Sequence, residues 1–311
     1  MAKYIAKRLL FALVTVFVIT FILYLMMEVM PGSPFNDVKL TEAQKALLRA
    51  EYGLDQPFIV KFTNYITKVF QGDFGVSYAI QPDVPISTMM AARIPISIRI
   101  GLQAIGVGAT LGLLLGIFAA LKRNTIFDTI ATVISVIGVS VPGFVFALGL
   151  LYFVGFKMGA LPLTYNVASP FISSLMPTIA LSMMTMATVA RFARSEMIDV
   201  LNSEYMLLAE SKGLSKRILI FRHALRNALI PIITVLGPLA AGVLTGSLVV
   251  EKIFSVPGVG SLLVMGIQTN DYNVTIACAL VYSILYIVIM LIVDISYGII
   301  DPRIRLAKGG E

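Results

Sequence analysis

The chain has 311 residues, of which 58% are hydrophobic and 13% are charged, and its mean hydropathy is +0.91. A soluble enzyme of this length needs a more polar surface, so the composition indicates a polytopic membrane protein. The net charge of +7 is better explained by basic residues that orient spans in a membrane than by nucleic-acid binding.

The predicted elements begin with an uncleaved first span. Lys3, Lys7 and Arg8 precede about 20 apolar residues, a run too long for a signal-peptide core, and no small-residue cleavage site follows. Apolar segments long enough to cross a bilayer are predicted at 9–30, 100–121, 130–156, 175–190, 230–254 and 274–299. The sequence therefore predicts an all-α membrane protein with six transmembrane helices.

A long extracytoplasmic segment, residues 31–99, follows the first span. Thr41-Glu-Ala-Gln44 has the form of a capping box and predicts a short helix that ends near Gly53. A second, amphipathic helix is predicted from Pro57 onward. Three positions are open to it: packed on neighbouring spans, along the bilayer surface, or over the outer mouth of a pathway.

Several spans contain residues suited to close packing or bending. Gly108, Gly112 and Gly116 recur every four residues and form a stripe that lets another helix approach closely. Val141-Pro142-Gly143 and Gly237-Pro238 lie inside the third and fifth spans, where proline removes a backbone hydrogen bond. Both helices are expected to kink or unwind locally. Such residues fit a static bundle and a moving transporter alike.

Positive residues are concentrated in the segments that a cytoplasmic N-terminus would place inside the cell. The short outer loops hold Lys157 and Lys252. The inner segments hold Lys3, Lys7, Arg8, Lys122, Arg123, Arg191, Arg194, Lys212, Lys216, Arg217, Arg222, Arg226, Arg303, Arg305 and Lys308. Both termini are therefore predicted to be cytoplasmic. Glu28 and Asp294 lie near span ends, so a proton relay at the bilayer centre is not indicated.

A basic segment lies between the fourth and fifth spans, at about residues 191–229, and we call it the basic loop. A first helix is predicted at 204–212 and ends before Gly213, a residue that tolerates positive φ. A second helix is predicted after Ser215 as its N-cap and before Pro231. The predicted apolar face consists of Ile218, Phe221, Leu225, Ala228 and Leu229. The predicted basic face consists of Arg222, His223 and Arg226. A basic helix of this kind fits either anionic lipid headgroups or a protein partner.

The basic loop resembles the cytoplasmic "EAA" loop of the membrane subunits of ATP-binding-cassette (ABC) importers, in the form typical of the oligopeptide/dipeptide/nickel branch. It departs from the general family pattern at Leu207 and Leu208, and its stretch from Gly213 to Pro231 is longer. The residues that fit the branch are Ala209, Lys212, Gly213, Leu214, Arg222, His223, Ala224, Leu225, Asn227, Ala228, Leu229 and Pro231. Other segments similar to this branch are Met30-Pro-Gly-Ser-Pro-Phe35, Gly72-Asp-Phe-Gly75, Val141-Pro-Gly-Phe144, Thr245-Gly-Ser247 with Val250-Glu251, Pro257-Gly-Val-Gly260 and Asp301-Pro-Arg303. The first of them is most similar to the B-type membrane subunit of oligopeptide permeases.

The resemblance implies a type I ABC importer transmembrane domain in a bacterial cytoplasmic membrane. It implies that residues 1–92 form the first transmembrane helix and outer segment, 93–300 the transport domain and 301–311 a cytoplasmic tail. The implied partners are a homologous second permease subunit, two cytoplasmic ATPase subunits and an extracytoplasmic peptide-binding protein. By the same resemblance the basic loop inserts into a cleft on an ATPase and transmits its closure to the spans.

The resemblance and the residue patterns together assign roles to two groups of residues. Those assigned to ATPase coupling are Ala209, Lys212, Gly213, Leu214, Arg222, His223, Arg226, Asn227 and Pro231. Those assigned to helix bending or packing are Gly108, Gly112, Gly116, Pro142, Gly143, Gly237 and Pro238.

The sequence has no G-x-x-x-x-G-K-[ST] phosphate-binding loop, and we recognise no nucleophilic triad or metal cluster in it. The chain is therefore not expected to be an enzyme or to bind a cofactor, and ATP with Mg²⁺ is expected on partner subunits. Cys278, the single cysteine, is expected to be a buried apolar residue. An oligopeptide is the expected substrate, with dipeptides, nickel chelates and glutathione as alternatives within the branch. The rivals from other classes are a secondary carrier or channel driven by ion gradients, and a scaffold without transport.

Overall fold

The structure is a computed structural model that describes the backbone of residues 2–29, 35, 41–245 and 247–300. The first helices are α1 (Ala2–Val29), α2 (Glu42–Glu51), α3 (Phe58–Phe70), α4 (Ile86–Leu121), α5 (Ile126–Ser140) and α6 (Gly143–Leu150). They are followed by α7 (Pro170–Leu201), α8 (Glu204–Ser211), α9 (Lys216–Ile218), α10 (Leu225–Thr245), α11 (Leu248–Ile253), α12 (Val259–Gln268) and α13 (Tyr272–Ile300). Two segments with π-helical hydrogen bonding, Leu151–Lys157 and Leu219–Ala224, extend α6 and join α9 to α10.

Several sequence features lie outside the described residues. They are the Met30–Phe35 motif apart from Phe35, Gly246, the Asp301-Pro-Arg303 motif with the predicted tail, and the side chain of Asp294.

Within the described ranges, five helical segments are long and apolar enough to cross a membrane, and a bent pair makes six if it is one span. The five are Ala6–Val29, Ile86–Leu121, Pro170–Leu201, Lys216–Ile253 and Tyr272–Val293. The predicted all-α architecture and the order of the spans are confirmed. The predicted boundaries of the second and fourth spans are wrong, because both helices continue past the apolar run into segments with charged side chains, such as Arg93 and Arg194.

Prolines in the third and fifth predicted spans have different effects on the backbone. The third span is not one continuous helix: α5 ends at Ser140, Val141 is extended (φ −80°, ψ 122°), and α6 starts after Pro142. The two halves meet at 105°. In contrast, α10 continues through Pro231 and Pro238, so the local unwinding expected at the second of these prolines is not found.

The chain forms two compact units, and the first comprises Met1–Ser97 and Val256–Ile287. In it, α3 packs on α1 through aromatic rings: the Phe62 ring lies 5.8 Å from Phe17 and 5.3 Å from Phe21, between centroids. Lys61 of α3 also forms an ion pair with Glu28 of α1, at 2.6 Å. The capping box predicted at Thr41 is present at the start of α2.

A turn of the first unit is held by a buried carboxylate. Asp271, which precedes α13, accepts a hydrogen bond of 2.6 Å from the Ser77 hydroxyl. The same carboxylate oxygen accepts the three consecutive backbone N–H groups of residues 78–80, at 3.0, 3.0 and 3.1 Å. Neither Ser77 nor Asp271 is exposed to solvent. A buried carboxylate is costly in free energy unless such donors pair with it. This contact therefore holds together two parts of the chain that are far apart in the sequence.

The second unit comprises Ile98–Ser255 and Val288–Glu311, and α7 is its most buried span. The stripe of Gly108, Gly112 and Gly116 on α4 lies against α7. A Cβ added to Gly112 would lie 2.6 Å from the carbonyl oxygen of Met186, and one added to Gly116 would collide with the Ala190 carbonyl. Any side chain on this stripe would therefore push the two helices apart.

Candidate functional site

The first half of the basic loop is a short helix that ends in a glycine turn. α7 continues to Leu201, two residues separate it from α8, and α8 ends at Ser211. Gly213 follows with φ +76°, and no neighbouring atom would lie within 4 Å of an added Cβ. This glycine is therefore required for its backbone conformation rather than for space.

The second half of the basic loop is continuous with a membrane span. Ser215 has the extended backbone of an N-cap residue (φ −63°, ψ 148°), but its side chain makes no capping hydrogen bond. Helical backbone then continues from Lys216 through the π-helical segment into α10, past Pro231. The prediction of a separate helix that ends before this proline is therefore wrong. The segment that carries Arg222 and Arg226 is therefore joined to the rest of α10 without an intervening loop.

The π-helical hydrogen bonds change which side chains of this segment are buried. A π-turn spans one residue more than an α-turn, so the positions after it rotate relative to the sequence pattern. Leu219 and Ala224 are buried, whereas Phe221 is 65% exposed and Ile218 is 42% exposed. Two members of the predicted apolar face, Ile218 and Phe221, are therefore exposed in the chain, whereas Ala228 is buried.

The inner face of the basic loop packs on the ends of α4 and α7. The buried cluster consists of Ala120, Met197, Met206, Ala209, Leu219, Ala224 and Ala228, with Leu214 and Leu225 packed against it. Its members come from α4, α7, α8, the π-helical segment and α10. Close-packed side chains resist separation, so this cluster joins the loop to three of the long helices.

The outer face of the loop is exposed and combines apolar with cationic side chains. The exposed apolar side chains are Tyr205, Leu207, Leu208, Ile218 and Phe221, at 44%, 67%, 58%, 42% and 65%. The exposed cations are Lys212, Lys216, Arg217, Arg222 and Arg226. A groove of about 400 Å³, lined among others by Asn202, Glu210 and Lys216, lies beside α8. Exposed aromatic side chains together with exposed arginines favour a protein–protein contact over a surface that only contacts lipid headgroups.

The remaining predicted coupling residues lie on both sides of this surface. Ala209 is buried in the cluster, and His223 and Pro231 are half-buried. Asn227 is exposed and its side-chain amide donates to the backbone carbonyl of His223 at 2.9 Å. The side chains available to an external partner are therefore Lys212, Arg222, Arg226 and Asn227.

One ion pair beside the loop was not predicted. The guanidinium of Arg194 on α7 donates from Nε to Asp128 Oδ1 at 2.5 Å and from Nη2 to Oδ2 at 2.9 Å. The backbone N–H of Asn124 also donates to Asp128, at 3.0 Å. Asp128 is 5% exposed. From the sequence, Arg194 was expected only to orient the chain in the membrane. The signal that could have found the pair is a single carboxylate in an apolar stretch, which needs a cation nearby.

No group of three or more His, Cys, Asp or Glu side chains lies close enough to hold a metal ion among the described residues. The single cysteine, Cys278, is fully buried in the apolar core of the first unit.

The sequence matches two protein families along most of its length. Residues 112–306 match the family described as "Binding-protein-dependent transport system inner membrane component". Residues 1–98 match the family described as "Binding-prot-dependent transport system membrane comp, N-term".

Curated relatives match over the full chain. The dipeptide transport system permease protein DppB of Lactococcus lactis is 45% identical, over 98% of this chain and 100% of the relative. DppB of Bacillus subtilis is 41% identical, over 100% of both chains. The oligopeptide transport system permease protein OppB of Haemophilus influenzae is 37% identical, over 98% of this chain and 100% of the relative.

Solved structures of ABC importers share the fold. The MetNI methionine ABC transporter in inward-facing conformations has a TM-score of 0.56 at 13% identity, covering 68% of this chain and 96% of that chain. An amino acid ABC transporter crystallised with histidines has a TM-score of 0.53 at 19% identity, covering 68% and 94%. At these identities the likeness concerns the fold alone, and the fold is that of type I ABC importer membrane subunits.

Proposed function

Because the chain belongs to the family of binding-protein-dependent transport system inner membrane components, we propose that it forms half of the membrane pathway of an ATP-driven peptide importer. The observation that carries this proposal is the basic loop: an exposed apolar and cationic face on a segment that is continuous with α10. The loop is the surface through which the chain couples to an ATPase subunit.

The proposed substrate is a short peptide. The relatives with 45% and 41% identity are dipeptide permeases by name, and the relative with 37% identity is an oligopeptide permease. Dipeptides and longer oligopeptides are therefore the two substrate sizes to compare.

The proposed partners are a homologous second permease subunit, two cytoplasmic ATPases and an extracytoplasmic peptide-binding protein. The sequence has no phosphate-binding loop of the G-x-x-x-x-G-K-[ST] type, so the ATPases hold ATP and Mg²⁺. Both termini lie in the cytoplasm, because the positive residues are concentrated on that side of the spans.

Coupling requires that a displacement of the loop moves the spans. Two features support this: the helical backbone that enters α10 without a loop, and the buried cluster that joins the loop to α4 and α7. Nucleotide would bias the loop from one side, and the loaded binding protein would bias the spans from the other.

The first experiment asks whether the chain and its partners transport peptides with ATP. The chain is copurified with its ATPases and second permease subunit and placed in vesicles with the binding protein outside and ATP inside. Uptake of labelled di-, tri- and pentapeptides should require ATP and the binding protein. Uptake that depends on an ion gradient and not on ATP would show a secondary carrier. ATPase binding without any uptake would show a scaffold.

The second experiment tests the loop through Gly213→Val and a double change, Arg222→Glu with Arg226→Glu. Valine strains a backbone at φ +76° and misplaces α8, whereas the double change reverses the exposed charge. Both are expected to reduce ATPase copurification or coupled uptake while the spans remain inserted.

Gly159→Val is the matched control, because Gly159 has φ +62° and open space around an added Cβ but lies far along the chain from the loop. It should leave ATPase binding unchanged. If the double-Glu variant is normal in neutral-lipid vesicles and impaired only with anionic lipids, the arginines contact headgroups and not an ATPase.

A further inference from the structure

Asp128 is a point at which three elements of the second unit meet. It accepts two hydrogen bonds from Arg194 near the end of α7 and one from Asn124 in the turn between α4 and α5. The carboxylate lies in the first turn of α5. Arg194 is one turn before Met197, which belongs to the buried cluster beneath the basic loop. The ion pair therefore connects α5 to the part of α7 that holds the loop.

The backbone around Arg194 is also in close contact with α4. A Cβ on Gly116 would lie 2.7 Å from the Cβ of Ala193 and 3.0 Å from the backbone nitrogen of Arg194. α7 is thus confined on the α4 side by backbone contact, and it is joined to α5 by a charged, two-point hydrogen bond. Two-point guanidinium–carboxylate contacts fix orientation as well as distance.

α5 has a second close contact with α7 towards its other end. A Cβ on Gly138 would lie 2.6 Å from the Cβ of Ala187. Asp128 and Gly138 are ten residues apart, which is about 15 Å along a helix. α5 therefore contacts α7 closely at two separated points, and a rigid helix that is fixed to another helix at two points moves together with it.

α5 ends at Ser140, two residues beyond Gly138, at the 105° bend between Ser140 and Gly143. Pro142 and Gly143 are exposed, and no atom lies within 4 Å of an added Cβ on Gly143. α6 itself packs on α7, so the bend is open on the side of Gly143 alone, and that open side leaves room for the backbone change that a hinge requires.

We propose that Asp128 and Arg194 are positioning residues that make α5 move together with α7, so that a displacement of the basic loop reaches the bend at Val141-Pro142. This inference rests on the proposed function, in which the basic loop receives the motion of an ATPase. The pair contacts neither nucleotide nor peptide in this role. It determines how much of the loop's displacement arrives at the bent third span.

The test uses the assembled importer in vesicles and three variants. Asp128→Asn and Arg194→Gln each remove one charge of the pair, and Arg191→Gln removes an exposed charge from the same helix as the matched control. The measurements are subunit copurification, the ATPase rate and the amount of peptide taken up per ATP hydrolysed. The ratio isolates coupling, because loss of assembled complex lowers uptake and hydrolysis together.

Asp128→Asn and Arg194→Gln are expected to assemble and hydrolyse ATP, with peptide uptake per ATP reduced roughly 2- to 30-fold. Arg191→Gln should keep the wild-type ratio. Wild-type ratios in the first two variants, with uptake and hydrolysis falling in parallel or not at all, would overturn the proposal and leave only a structural role. If both variants fail to assemble, the ratio is taken from Arg194→Lys, which keeps the charge without the two-point geometry, and a wild-type ratio there overturns the proposal.

If the wild-type complex shows no ATP-driven uptake, the result bears on the proposed function itself. That result removes the proposed function, and with it the role of the pair in coupling. It is distinguishable from an active wild type whose variants keep a normal ratio, which removes the role of the pair alone.

Discussion

Proline and glycine lie side by side in the middle of both the third and the fifth predicted spans, yet the helix is broken only in the third. In the third, Pro142-Gly143 follows the end of α5 and the helix turns by 105°. In the fifth, Gly237-Pro238 lies inside α10 and the helix continues. The residue before proline does not account for this difference, because Ile230-Pro231 also remains helical although a side chain before proline disfavours helical backbone.

The surroundings of the two sites differ instead. Gly237 is buried against Val293 of α13, so a neighbouring helix supports the backbone there. Gly143 is exposed, and an added Cβ there would meet no atom within 4 Å. The comparison teaches that proline and glycine permit a break, and that packing decides whether the break occurs.

The largest effect is expected from filling the supported site. In Gly237→Val, the added Cβ would lie 2.6 Å from Cγ1 and 3.0 Å from Cβ of Val293. Overpacking of this kind should lower the free energy of unfolding by about 3 kcal/mol, measured by denaturant or thermal unfolding in detergent. Gly242→Val on the same helix is the control, since an added Cβ there meets no atom within 4 Å. Equal losses in both variants would show that packing on Val293 is not what supports α10.

A smaller effect of the opposite sign is expected at the neighbouring proline. Pro238 cannot donate the backbone hydrogen bond that an interior helical residue makes, although α10 is continuous there. Pro238→Ala should therefore raise the free energy of unfolding by about 1 kcal/mol, less than the full cost of proline in a helix because neighbouring helices already support it. A destabilised variant would show that α10 needs a proline-induced bend.

The smallest effect is expected at the bend itself. Pro142 has φ −56°, a value that its ring already favours, and it stands at the N-cap position of α6. Pro142→Ala should lower the free energy of unfolding by about 0.4–1 kcal/mol, because the unfolded chain gains freedom. Gly143→Ala, with open space around its Cβ, should change it by less than about 0.5 kcal/mol. If Pro142→Ala instead raised the free energy of unfolding, the prolines at 142 and 238 would no longer differ in the sign of their effect.

The sequence predicted the spans well, because long apolar runs identify them without knowledge of their neighbours. It predicted α2 equally well, because a capping box is a local signal at Thr41. It misplaced the ends of α4 and α7, because charged residues on a helix that leaves the membrane look like loop residues. Arg93, for example, lies within α4.

The local structure of the basic loop was predicted in part, and its role stays a prediction. The glycine turn at Gly213 was visible, since positive φ favours glycine. The exposure of Phe221 was not, because it follows from π-helical hydrogen bonds that depend on packing rather than on local pattern. The ion pair between Asp128 and Arg194 was also not visible in the sequence, because its partners are 66 residues apart and each has an ordinary explanation by itself.

The turn held by Asp271 also constrains how the protein is made. Ser77 and Asp271 are 194 residues apart, an interval that takes about 10–40 s to synthesise at roughly 5–20 residues per second. On the proposed topology the stretch before α13 must leave the ribosome and cross the bilayer, and until then the three N–H groups of residues 78–80 lack the carboxylate that will receive them. The turn is thus among the last parts of the first unit to reach its final structure. Its resistance to protease added from outside should rise only when the final span has been inserted, which makes this small contact a marker of completed biogenesis.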